Sequence, residues 1–144
     1  MSKGLKLECY KRSHRIRKAW FGKNHIHVGD TYCNLGCAYL DIQDYSKALR
    51  KFQKALNIRI TLQGEKNSGV SDIYYNMAIV YEEQQKLREA LIYYRKALRI
   101  KSEISGIINS DVVDLFYCIS LIYQKVGNQK EGINCNQKEI LLQS

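Results

Sequence analysis

Four side chains within residues 25–37 carry metal-ligand chemistry: His25, His27, Cys33 and Cys37. Cys33 and Cys37 are one helical turn apart, which suits two ligands of one ion. The histidine pair precedes them in a linker and matches no standard zinc-finger spacing. Cys37 also belongs to an evenly spaced series, recurring as Ile79 and then as Leu121. A small hydrophobe is therefore its expected role, and neither a metal nor another cofactor is expected. Two further polar sets recur at the same interval. Asp30, Asp72 and Asp114 form an acidic row, expected to cap helix starts or complement their dipoles, and to favour basic ligands if exposed. Asn34 and Asn76 each offer a donor and an acceptor, enough to satisfy one peptide group of an extended ligand. No nucleophile–base motif, phosphate loop or paired-carboxylate motif accompanies them, so an enzyme is not expected.

That interval runs through the whole chain. Val28, Val70 and Val112 obey it, as do Tyr39, Tyr81 and Tyr123. Blocks 28–64 and 70–106 align without a gap and are identical at 13 of 37 positions. Self-similarity at such a period marks stacked supersecondary units, each burying its apolar face against its neighbours. Such a stack presents an extended surface, which favours binding over catalysis.

Within a unit the apolar residues follow helical spacing. Val28, Tyr32, Leu35, Cys37, Ala38 and Tyr39 form one set. Tyr45, Ala48, Leu49, Phe52, Ala55, Leu56 and Ile60 form another. Steps of three and four predict two helices, A and B, joined by a short polar turn. The turns are IQD, QQK and VGN in successive units, and Gly64 and Gly106 stand just past the ends of the second helices. Gly36, Ala78 and Ser120 share one position of helix A, and Ala48, Ala90 and Gly132 one of helix B. Small residues there let two helices approach while Leu and Tyr fill the adjacent holes.

The run NLGCAYLDIQDYSKALRKFQKALNIR resembles the tetratricopeptide repeat. The matching residues are Leu35, Gly36, Tyr39, Ala48, Phe52 and Ala55, then Met77, Ala78, Tyr81, Ala90, Tyr94 and Ala97. The 42-residue period is similar to the kinesin light chain and nephrocystin type of repeat. The resemblance implies an all-α fold, a right-handed α-solenoid of antiparallel helix pairs. It also implies that helix A lines a concave groove holding a peptide segment of a partner, as in cargo adaptors. In that register the groove positions include Asp30, Cys33, Asn34 and Cys37, then Asp72, Tyr75, Asn76 and Ile79, then Asp114, Tyr117, Cys118 and Leu121. In similar repeats the Asn clasps the ligand backbone. Some relatives bind C-terminal carboxylates through groove Lys and Arg, a cluster these positions lack.

The expected organisation is a basic half-repeat at 1–22, repeats at 28–64 and 70–106, and a degenerate terminal repeat at 112–142. Residues 1–27 hold eight Lys and Arg against one acid, whereas the whole chain of 144 residues has a net charge of +9. Leu7, Tyr10, Ile16, Arg17 and Gly22 fit the register of helix B, so this segment reads as a lone second helix. A basic amphipathic helix for acidic partners, anionic lipid or RNA is the competing reading, and a transit peptide a third, against which the register argues. Trp20 and Phe21, if unpaired, would form an apolar docking patch. Five cysteines without framework spacing read as reduced thiols, so a cytoplasmic location is expected. No run approaches the ~20 apolar residues of a membrane span, and no h-region marks a secretory signal. The expected function is therefore a scaffold that binds another protein, with no small-molecule substrate. The alternatives are self-association through the end helices and a basic helix bound to nucleic acid or membrane.

Overall fold

The computed structural model describes residues 2–127, and those residues form six α-helices and no strand. They are α1 (Lys3–Phe21), α2 (Ile26–Asp41), α3 (Tyr45–Gln63), α4 (Ser68–Glu83), α5 (Leu87–Ser105) and α6 (Ser110–Lys125). The chain divides into two compact units, residues 1–65 and 66–144. In the first, α2 packs on both α1 and α3; in the second, α5 packs on both α4 and α6. The second helix expected in the last repeat, with Gly132, lies outside the described residues.

Helices alternate between 19 residues (α1, α3, α5) and 16 residues (α2, α4, α6). The punctuation explains this. His25, Asn67 and Asn109 cap α2, α4 and α6, each accepting a backbone N–H two residues on. The longer helices stop at Gly22, Gly64 and Gly106, whose φ values of 80°, 83° and 76° combine with extended ψ. That region is open essentially to glycine alone. The tight turn after α2, α4 and α6 needs one residue at positive φ: Gln43 at 63°, Gln85 at 61° and Gly127 at 85°. The third turn thus uses the residue that adopts this conformation at least cost.

In unit 1, Phe52 and Ala48 of α3 are fully buried, and Leu35, Ala38 and Tyr39 of α2 lie against that helix. The approach is close enough that a Cβ on Gly36 would stand 2.6 Å from the Phe52 ring. Gly29 is nearly as tight, with Ile58 3.2 Å from an added Cβ. Unit 2 repeats the scheme, with Ala78, Ala90 and Ala97 fully buried beside Tyr94. Fully burying each such aromatic contributes about 2–3 kcal/mol. One position differs from the apolar pattern of the sequence. Cys37, placed by periodicity on the apolar face, is exposed, because Leu35, Ala38 and Tyr39 already cover the approach to α3. Leu7 is the sole buried residue of α1, and Trp20 is 82% exposed.

Two substitutions test this packing. Gly36→Ala is expected to destabilise the protein by about 1–3 kcal/mol through overpacking against Phe52. Gly64→Ala is expected to cost a similar ~1–3 kcal/mol through backbone strain alone. Chemical denaturation of each variant, followed by circular dichroism, reads both.

Candidate functional site

The outward positions of α2 and α4 hold most of the polar residues singled out by the repeat. In unit 1, the Asp30 carboxylate pairs with the Arg59 guanidinium of α3 and has His27 Nδ1 at 3.9 Å. Arg59 also reaches Gln63, while its Nε is buried without a hydrogen-bond partner. Cys33 lies half-buried beside this pair. Burial pushes its thiol up to about 12, a shift that Arg59 partly opposes. Asn34 and Cys37 stand exposed on the same helix.

In unit 2 the corresponding acid, Asp72, lies 3.5 Å from Lys101 of α5. Lys101 also faces Asp111 at 3.6 Å and donates to Ser68 Oγ at 2.7 Å. These groups edge a cleft of about 240 Å³ lined by Ser71, Asp72, Tyr75, Lys101, Asp111, Asp114 and Leu115. Three carboxylates therefore meet one ammonium, and the local field favours a cation. Ser71 is buried in the cleft wall and donates to the Ala97 carbonyl at 2.9 Å. Tyr75 packs edge-on against Tyr94, with ring centroids 5.7 Å apart. Burial, then the neighbouring Cys118, raises its hydroxyl above the ordinary tyrosine range. Tyr94 in turn donates to Glu82, which Lys125 also holds. Asn76, Ile79 and Leu121 are half-buried, and Tyr117 is 65% exposed. The amides of Asn34 and Asn76 have no hydrogen-bond partner among the described residues.

The aspartate row thus does not cap the helices. Capping falls to His25, Asn67 and Asn109, because Asp30, Asp72 and Asp114 lie several residues inside their helices. There each is too far from the free N–H groups to cap them. Asp30 and Asp72 instead face a cation of the following helix. Sequence reasoning passed over Arg59 and Lys101, although they are separated by one repeat like their partners, and it also passed over Asp111 and Leu115. The histidine–cysteine set does not converge. His25 stacks on Phe21 with centroids 4.5 Å apart, and His27 lies against the same ring. Among the described residues no three His, Cys, Asp or Glu side chains gather as metal ligands would. Partial desolvation of Cys37 against its neighbours, then Asp41, also raises its thiol, so a thiolate is disfavoured at both cysteines.

The tetratricopeptide repeat model matches residues 7–61 and 43–103, so this chain belongs to the tetratricopeptide repeat family. The family is one of protein–protein interaction scaffolds, typically without enzymatic activity. No curated protein matches the sequence significantly. Among solved structures, BtubC (BKLC) from P. vanneervenii is similar at a TM-score of 0.81 and 20% identity, over 94% of this chain and 55% of its own. The nearly identical TPR-like repeats of a Podosopora anserina kinesin-light-chain-like protein score 0.77 at 14% identity, over 95% of this chain and 63% of theirs. A single-substitution variant of those repeats scores 0.76, also at 14% identity, over 95% of this chain and 62% of its own. This chain therefore spans less than two thirds of each of these structures. At such identities the likeness is one of fold, an all-α helical solenoid. Among the described residues, no helix is long and apolar enough to cross a membrane.

Two outcomes follow from the site's charges and thiols. Asp30→Asn strands a partly buried guanidinium and is expected to cost about 1–2 kcal/mol. Asp72→Asn, which leaves Lys101 its second acid, is expected to cost under ~0.5 kcal/mol. Denaturant midpoints compare the two. In native protein at neutral pH, iodoacetamide is expected to modify exposed Cys9 well before Cys33, as followed by peptide mass spectrometry.

Proposed function

We propose that this chain holds a short basic segment of another protein on its first-helix faces, through the cleft of unit 2. The reading takes the chain as a half-repeat at 1–22 and repeats at 28–64, 70–106 and 112–142. The observation that carries it is the cleft bounded by Asp72, Asp111 and Asp114, where one ammonium answers three carboxylates. A lysine or arginine of the ligand would complete that balance. Beside it, the unpartnered amide of Asn76 is able to take both halves of one ligand peptide group. An asparagine is costly inside a helix, so a partner outside the chain would account for it. Tyr75 and exposed Tyr117 supply amphipathic contact area. Asn34 offers unit 1 the same peptide-binding group.

Such a scaffold fits a cytoplasmic, cargo-adaptor-like role comparable to that of kinesin light chains. Its preference for basic segments follows from its own carboxylates. Affinity is expected to be micromolar, since the ligand loses much conformational freedom on binding.

A peptide array scored for basic segments, followed by titration calorimetry of the best binder, tests this reading. Asn76→Ala and Asp72→Asn/Asp114→Asn are each expected to weaken binding about tenfold at unchanged helicity. Equal binding by all three proteins, or a preference for acidic peptides, would overturn it.

A further inference from the structure

The charge of the chain is concentrated in unit 1, where residues 1–65 hold 13 Lys and Arg against five acids, a net +8 of the total +9. Part of that charge is gathered into one place. Lys47, Arg50, Lys51 and Lys54 of α3 follow each other at steps of three, one and three, so they share one helix face. With Tyr39 of α2 they line a concavity of about 150 Å³. The ammonium groups are placed by the rings beneath them. Lys47 lies 5.6 Å from the Tyr39 centroid, and Lys51 and Lys54 lie 5.8 and 5.6 Å from that of Tyr32. Lys47 also has Asp44 at 3.7 Å, but among the described residues no carboxylate is within ion-pair reach of Arg50, Lys51 or Lys54.

The repeat itself does not require three of these four cations. One period on, positions 47, 50 and 51 become Glu89, Ile92 and Tyr93, while Lys54 recurs as Lys96, which lies over Tyr74 as Lys54 lies over Tyr32. At these positions unit 2 packs the same helix with one cation where unit 1 has four, so Lys47, Arg50 and Lys51 are not needed for packing. The basic group is also under mutual repulsion. Burial, then Lys54, Arg50, Lys11 and Lys18, holds the Lys51 ammonium below the usual lysine range. The neighbouring His14 is held low by burial, then by Lys18, Lys51 and Lys54. A bound anion would relieve both.

We propose that the concavity of Lys47, Arg50, Lys51 and Lys54 is a binding site for a compact polyphosphate, several phosphate groups held close together on a small scaffold. Four cations span only about 10 Å of helix. That density suits clustered phosphates better than the spaced charges of a nucleic-acid strand. Tyr32 and Tyr39 are each 8% exposed, so their faces are closed to the base stacking on which single-strand binding relies. A flat bilayer of singly charged headgroups would reach the rim and not the floor. The site lies in unit 1 and is independent of the peptide cleft in unit 2.

The test is titration calorimetry of the full chain with inositol hexakisphosphate at two salt concentrations. Arg50→Gln/Lys51→Gln/Lys54→Gln is expected to weaken binding at least about tenfold. Lys86→Gln/Arg88→Gln/Arg99→Gln removes equal charge from unit 2 and is expected to change binding less than about twofold. Because Lys51 and Lys54 also rest on Tyr32, Arg50→Glu alone carries the test should the triple variant lose helicity, with several-fold weakening expected. Bound ligand is also expected to move the His14 ring titration, followed by NMR, to higher pH. Vesicles bearing phosphatidylinositol bisphosphate distinguish a lipid-borne headgroup from a free polyphosphate, and capture by either supports the site. Equal weakening by the two triple variants, no binding at low salt, or tighter binding to single-stranded RNA would overturn it. So would equal capture by phosphatidylserine vesicles of matched charge.

Discussion

The fold depends on how closely the two helices of a pair can approach. At Gly36 the backbone of α2 comes so near the Phe52 ring that a single methyl group has no room. In unit 2, Ala78 takes the same position beside Tyr94, and both are buried. Small residues on one helix and a ring on the other set the separation of the pair. That separation determines which side chains remain outside it. Leu35, Ala38 and Tyr39 turn inward, so Asp30, Asn34 and Cys37, at other angles of α2, meet either the edge of α3 or solvent.

Electrostatics builds on that separation. An acid early in the first helix meets a cation late in the second, as Asp30 with Arg59 and Asp72 with Lys101. The pairing is local to each unit, but its context differs. In unit 1 the acid and the guanidinium complete each other. In unit 2, Asp111 and Asp114 add two further carboxylates and leave an acidic cleft. One repeat rule thus yields a closed pair in one place and an incompletely neutralised cleft in another. The partner preference proposed for the cleft arises from that imbalance.

The sequence made the helices legible because their spacing, caps and stops recur with every repeat. The glycines at 22, 64 and 106 adopt the backbone conformation that only glycine takes readily, as their position past the helix ends implied. The site was legible only in part. The family resemblance placed Asp72, Tyr75 and Asp114 among the groove positions, and these three residues line one cleft. Periodicity suggested caps where there are ion pairs, because a residue near a helix start and one at the cap differ by only one turn. It placed Cys37 on the apolar face while the resemblance placed it in the groove, because a period of 3.6 leaves the edge of an apolar face ambiguous.

What this sequence determined alone is the alternation of helix and turn and the family to which they belong. Both rest on local rules of backbone conformation and side-chain spacing that act within a few residues. What only the tertiary structure decided is which charges meet. Lys101 gathers Ser68, Asp72 and Asp111 from two other helices, and Lys51 and Lys54 of α3 lie over Tyr32 of α2. Those encounters depend on the distance and rotation between packed helices, which no spacing along one helix encodes.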